Sequence, residues 1–149
     1  MAIEKFNVKA TWKEKLLIET EARGHKVIVD EPVSLGGTDQ GSNPVELVLS
    51  ALGACQAIVI QTYAKQFGIN IEDLKIELEG ELDTDGFLNK SDVRPGYSHI
   101  ESKFVISTDA PKEKLETFIQ FVENHCPVGD TIKNPVHLTS KIVVEKPVK

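Results

Sequence analysis

The chain is poor in several residue types. It holds two cysteines, one methionine, one tryptophan and only two arginines, Arg23 and Arg94. Two cysteines are too few for a disulfide framework. The 17 basic residues are scattered, and 23 acidic ones leave a net charge of −6. With a pI near 5.2, that balance argues against a nucleic-acid or anionic-membrane partner, both of which favour basic patches. No stretch reaches the roughly 18 uncharged apolar residues of a membrane span. The opening MAIEKFNVKATW lacks the apolar core of a signal peptide. With so few cysteines, the expectation is a reducing, cytoplasmic setting. Four histidines (His25, His99, His125 and His137) show no H-x-x-x-H spacing, and the cysteines no C-x-x-C, so no metal site is expected. Internal repeats and low-complexity tracts are also missing.

What is present is an ordinary globular composition, 40% hydrophobic and 27% charged over 149 residues. This is read as a single domain, 1–149. The first thirty residues alternate apolar and polar, which predicts three strands at about 4–11, 14–21 and 25–31. A Gly-rich loop, 32–43, follows. Strict alternation in LKIELEGELDTD predicts a half-buried strand over 74–85, paired antiparallel with 99–107. Leu115, Phe118, Ile119 and Val122 share one face of a helix over 110–126. PVGDTIKN reads as a short extra helix, and 136–146 as a last strand. The order β-β-β-α-β-β-α-β, with two main helices against antiparallel strands, is an α+β fold.

The helix that begins after the loop has the clearest start in the chain. Asn43 suits the N-cap, Pro44 the first helical position and Glu46 the third, the arrangement of a capping box. The helix is expected to run to Gln66 or Phe67, where Gly68 offers a cap. Its 44–62 stretch is apolar nearly all round, which predicts burial on every side. A chain this short has limited means to achieve that alone, so a homodimer is expected. Gly53, unfavourable by about 1 kcal/mol in a helix interior, should have a packing or site reason.

Cys55 lies midway along this helix. Free cysteine is among the most buried residue types, so it reads either as core filler or as a thiol carried into a dry reactive site. Cys126 directly precedes Pro127. It is either a helix-terminating Cys-Pro pair or the N-cap of the short helix, where backbone N–H groups and the dipole lower a thiol's pKa.

The motif NPVELVLSALGAC, followed by HCPVGDTIKNPV, resembles the OsmC/Ohr family, and the order of elements agrees over essentially the whole chain. The resemblance implies an OsmC-like fold, an intertwined homodimer with two sites at the subunit interface, and thiol-dependent reduction of organic hydroperoxides. Cys55 would be the attacking thiolate and Cys126 the resolving thiol. Arg23 would stabilise the thiolate, and an external dithiol would act as reductant, with no metal or organic cofactor. The family's organic-hydroperoxide branch holds its arginine with a carboxylate ten residues before the first cysteine, where this chain has Val45. Glu46 is one residue later. Nine helical steps of about 100° place it half a turn from Cys55 and roughly 13 Å away along the axis. Glu46 is therefore read first as the cap, with support of Arg23 across a dimer as its other reading. The resemblance thus points to the less characterised OsmC-like branch. The rival reading of the whole chain is a non-catalytic dimeric protein that binds an apolar small molecule or senses redox state.

Overall fold

A computed structural model describes residues 1–147. Three short strands form an antiparallel meander: β1 (Lys9–Glu14), β2 (Leu17–Ala22) and β3 (His25–Val29). Two tight turns join them, with Lys15 and Arg23 in the left-handed region at φ 47° and 52°. The first strand sits later than the alternation of Phe6, Val8 and Ala10 predicts. Its register is set by the turn at Lys15, whose carbonyl accepts the indole N–H of Trp12 at 2.8 Å.

The long helix α1 (Pro44–Tyr63) starts as the sequence predicts. The Asn43 side chain accepts the Glu46 N–H at 2.9 Å, and Glu46 accepts the Asn43 N–H at 2.9 Å. Beyond Tyr63 the chain continues in turns to Gly68, which takes φ 66°. A two-stranded ribbon of β4 (Asp73–Leu82) and β5 (Tyr97–Ser107) follows, separated by the four-residue helix α2 (Thr84–Phe87). Helices α3 (Lys112–Asn124) and α4 (Pro127–Lys133) complete the order.

The core lies where α1, α3 and the inner face of the ribbon meet. Val59, Ile60, Phe118 and Val122 are its centre, and Leu74, Ile76 and Phe104 of the ribbon pack on it. Phe118 and Ile60 are fully enclosed. Burying groups of this size is the main favourable term in folding. Gly53 faces β4: a Cβ there would meet Leu78 Cδ1 at 2.6 Å. This is the packing reason that its place in a helix interior called for.

One expectation is corrected. Residues 136–146 form no strand: this extended stretch has no ladder partner among the described residues and leaves Leu138, Ile142, Val143 and Val144 exposed. Within one chain α1 is covered along one stripe, and the burial expected on its other sides is that of a dimer. Its covered stripe is Leu52, Gly53, Gln56, Val59 and Ile60, while Val45, Val48 and Ile58 are exposed. By length and composition alone α1 could cross a bilayer, a test that the core helix of a globular protein also passes.

Candidate active site

The path from β5 through α3 to α4 decides where the second cysteine goes. Helix α3 ends at Asn124, and Pro127 starts α4 because its fixed φ and missing N–H suit a first helical position. Cys126 is thereby left at the N-cap, and its sulfur accepts the Gly129 N–H at 3.3 Å. The side chain is 2% exposed. Cys55, partly exposed, comes from the middle of α1. Its thiol is a near neighbour of the Cys126 thiol, close enough to raise that thiol's pKa, and the hydrogen bond to the Cys126 sulfur comes from Gly129. The fold thus brings together the two cysteines that the sequence singled out.

The electrostatics of Cys126 run against the N-cap expectation. Burial pushes its pKa above the ordinary thiol value, and the neighbouring Cys55 thiol pushes the same way. The backbone N–H groups of Gly129 and Val128 pull it down without prevailing. An N-terminal dipole lowers a thiol's pKa when the sulfur remains hydrated. Here desolvation outweighs it.

A cavity of about 510 Å³ opens beside this sulfur, between β5, α1 and α4. Leu52, Ile100, Phe104 and Ile132 give it apolar walls. Its polar lining includes Gln56, His99, Arg94 and Lys133. Among the described residues neither Arg94 nor Lys133 is in an ion pair. No three metal-ligating side chains converge anywhere among those residues.

Arg23 is not at this site within one chain. It occupies the exposed turn between β2 and β3, with no hydrogen bond or ion pair from its side chain among the described residues. Its turn belongs to a sheet with no extensive contact with the cysteine-bearing elements. The arginine that shares a cavity with a sulfur is Arg94, from the loop before β5. Glu46 closes the capping box and borders a separate groove between α1 and β4. Its charge is felt by Tyr97, which lines the first cavity and whose hydroxyl donates to the Val45 carbonyl at 2.6 Å. Burial, with Glu46 adding to it, raises the Tyr97 pKa.

Sequence reasoning passed over Arg94, Lys133, His99 and Gln56. For Gln56 a signal existed. It is the one polar side chain in the stripe Leu52, Gly53, Gln56, Val59, Ile60, a position where a core helix ordinarily carries an apolar residue.

Residues 37–141 match the family model described as OsmC-like protein. The chain belongs to the OsmC-like family. The fold agrees with an OsmC-like protein from Mycoplasma pneumoniae, at 23% identity over 89% of each chain and a TM-score of 0.78. It also agrees with an organic hydroperoxide resistance protein from Legionella pneumophila, at 21% identity over 89% of this chain and 92% of that one, TM-score 0.67. A protein of the same description from Elizabethkingia anophelis gives 16% identity over 90% and 91%, TM-score 0.66. Among curated proteins, the uncharacterized protein YmaD of Bacillus subtilis is 30% identical over 82 residues, which is 54% of this chain and 55% of YmaD. The chain thus spans about half the length of that relative. This OsmC-like chain has two free cysteines, and one of them lines a cavity that is part apolar and part charged.

Proposed function

We propose that the protein reduces organic hydroperoxides through its two thiols. The observation that carries this reading is the approach of Cys55 to Cys126, from distant parts of the chain, beside a half-apolar cavity. In the proposed cycle the Cys55 thiolate attacks the distal peroxide oxygen. The O–O bond breaks, the alcohol leaves with a proton, and Cys55 becomes a sulfenic acid. Cys126 then attacks that sulfur, water leaves, and a disulfide forms. An external dithiol reduces it by exchange. The electrons come from the dithiol and end on the peroxide oxygens. Free thiols restored in this way suit a cytoplasmic setting.

The functional unit in this proposal is a homodimer. The uncovered face of α1, the exposed apolar residues of the meander and the unpaired 136–146 segment all support it. A second copy is also what the role of Arg23 requires, since within one chain its turn stands away from both sulfurs. The alternative, a non-catalytic binder or redox sensor, draws on the raised pKa and burial of Cys126.

One experiment separates the two. Purified protein is treated with stoichiometric cumene hydroperoxide and examined by mass spectrometry. Wild type is expected to lose both thiols to a Cys55–Cys126 disulfide. Cys126→Ser should trap a sulfenic acid on Cys55, and Cys55→Ser should abolish peroxide consumption. Two free thiols persisting in wild type would leave the binder standing.

A further inference from the structure

Gln56 follows Cys55 directly, is 6% exposed and borders the cavity that Cys126 lines. Its Oε1 is enclosed and accepts no hydrogen bond among the described residues. A buried amide oxygen without a donor carries a standing desolvation cost, and such groups are uncommon in folded proteins. An apolar side chain of similar length would fill the stripe without that cost. The last torsion of a glutamine is broad, so the amide edge turns readily towards a ligand that offers it bonds.

A primary amide presents an acceptor and a donor side by side. A hydroperoxide presents the complement: its proximal oxygen accepts, and its distal oxygen carries the O–H. Resting on the peroxidase reading above, we propose that the Gln56 amide, next along α1 to Cys55, recognises the –OOH group itself in the cavity that Cys126 lines. Nε2–H donates to the proximal oxygen, and Oε1 accepts the distal O–H. When the thiolate attacks the distal oxygen, the S–O bond forms, the O–O bond breaks and its electron pair passes to the proximal oxygen. That oxygen gains negative charge while Nε2–H is bonded to it, the condition under which such a donor lowers a barrier. The alkoxide then takes a proton from water. The distal oxygen keeps its hydrogen, now as the sulfenic acid, and remains bonded to Oε1. An alcohol has one oxygen and cannot satisfy both ends of the amide as a hydroperoxide does, so the product is held less tightly than the substrate.

The test uses the full chain as wild type, Gln56→Met and Gln56→Glu. Three quantities are measured: the rate of disulfide formation with cumene hydroperoxide by quench-flow, the rate of thiol alkylation by iodoacetamide, and the thermal unfolding midpoint. Both variants should lose at least about ten-fold in oxidation rate, with alkylation within about two-fold of wild type. Gln56→Met should unfold at a temperature equal to or above that of wild type, because an orphaned buried oxygen has been removed. A residue with a merely structural role would give the reverse, a lower midpoint with oxidation and alkylation falling together. That result, or an oxidation rate unchanged in Gln56→Met, overturns the proposal for Gln56 alone. Wild type inert to the hydroperoxide overturns it together with the peroxidase reading.

Discussion

The meander β1–β3 and the unit built from α1, β4, β5 and α3 use similar residues to opposite effect. In the second, apolar side chains converge and Ile60, Phe118 and Val122 have no exposed surface. In the first, Trp12 is 68% exposed, Val27 and, just before β1, Phe6 and Val8 are also open to solvent, and Val29 at the end of β3 is the buried apolar residue. A small sheet needs an apolar face packed on something to be stable, and a single chain supplies little cover here. Nor does α1, whose far side exposes Ile58 at 66%. One region carries its own core, and the other leaves its apolar residues open, as the proposed dimer would require. The helix–ribbon unit holds Cys55, Cys126 follows it at the N-cap of α4, and the meander holds Arg23, which within one chain does not reach them.

The largest effect should come from breaking the contact that this contrast implies. Wild type is expected to sediment at twice the 16.5 kDa of one chain. Ile58→Glu, on the uncovered face of α1, should give the single chain, because a desolvated unpaired carboxylate at an interface is strongly unfavourable. If wild type is itself monomeric at micromolar concentration, the meander stays bare in solution and the dimer is lost from the proposal.

A second pair of variants sharpens the contrast within the fold. Phe118→Ala removes the centre of the core and should cost about 3–5 kcal/mol in denaturant unfolding. That cost should not vary with protein concentration. Trp12→Ala removes an indole whose N–H bonds the Lys15 carbonyl. In an isolated chain the loss should be no more than about 1 kcal/mol. In a dimer it should be larger and grow with dilution, since folding and association are then linked. Equal, concentration-independent losses would mean that the two regions do not differ as described.

What could be read in advance follows the same division. The start of α1 was legible because Asn43, Pro44 and Glu46 act on their own backbone within four residues. The β4–β5 ribbon was legible because Leu74, Ile76 and Leu78 alternate against the core of their own chain. The 136–146 segment alternates as well, yet no strand of this chain pairs with it, and alternation cannot say where a partner is. The start of β1 was misplaced because the turn at Lys15 rests on a positive φ taken by a lysine, which no turn signature announces. At the site, the cysteines were legible by residue type and by the proline after Cys126. Arg94 was not, since only the folded path of the loop before β5 carries it to the cavity. The fall in pKa expected for Cys126 failed for a similar reason: a cap is local, while burial comes from Leu52 and the rest of the packing.

The smallest effect concerns the joint between the two regions. Asp30 follows β3 directly and is 1% exposed. Its carboxylate accepts the Thr38 hydroxyl at 2.6 Å and the backbone N–H groups of Glu31 at 2.8 Å and Gln40 at 3.2 Å. Its own N–H donates to the Ser42 carbonyl at 3.2 Å, one residue before the cap of α1. One residue therefore ties the end of the meander to the approach to α1, its side chain holding the loop at Glu31, Thr38 and Gln40 and its backbone N–H the residue before the cap. The Thr38 hydroxyl, opposed by burial and helped by the backbone donors, lowers its pKa from 3.8 to about 2. A carboxylate whose folded pKa is depressed adds stability above its unfolded pKa and loses it as pH falls through the folded one. The contribution should thus be whole at pH 5 and fade between about pH 4 and 2. Asp30→Asn keeps the shape, removes the charge and turns an amide donor towards donors. It should be less stable than wild type at pH 5, and urea titrations repeated at falling pH should show the gap closing towards pH 2. A gap unchanged over that range would mean that the loop is held by its backbone bonds and that Asp30 is not the joint.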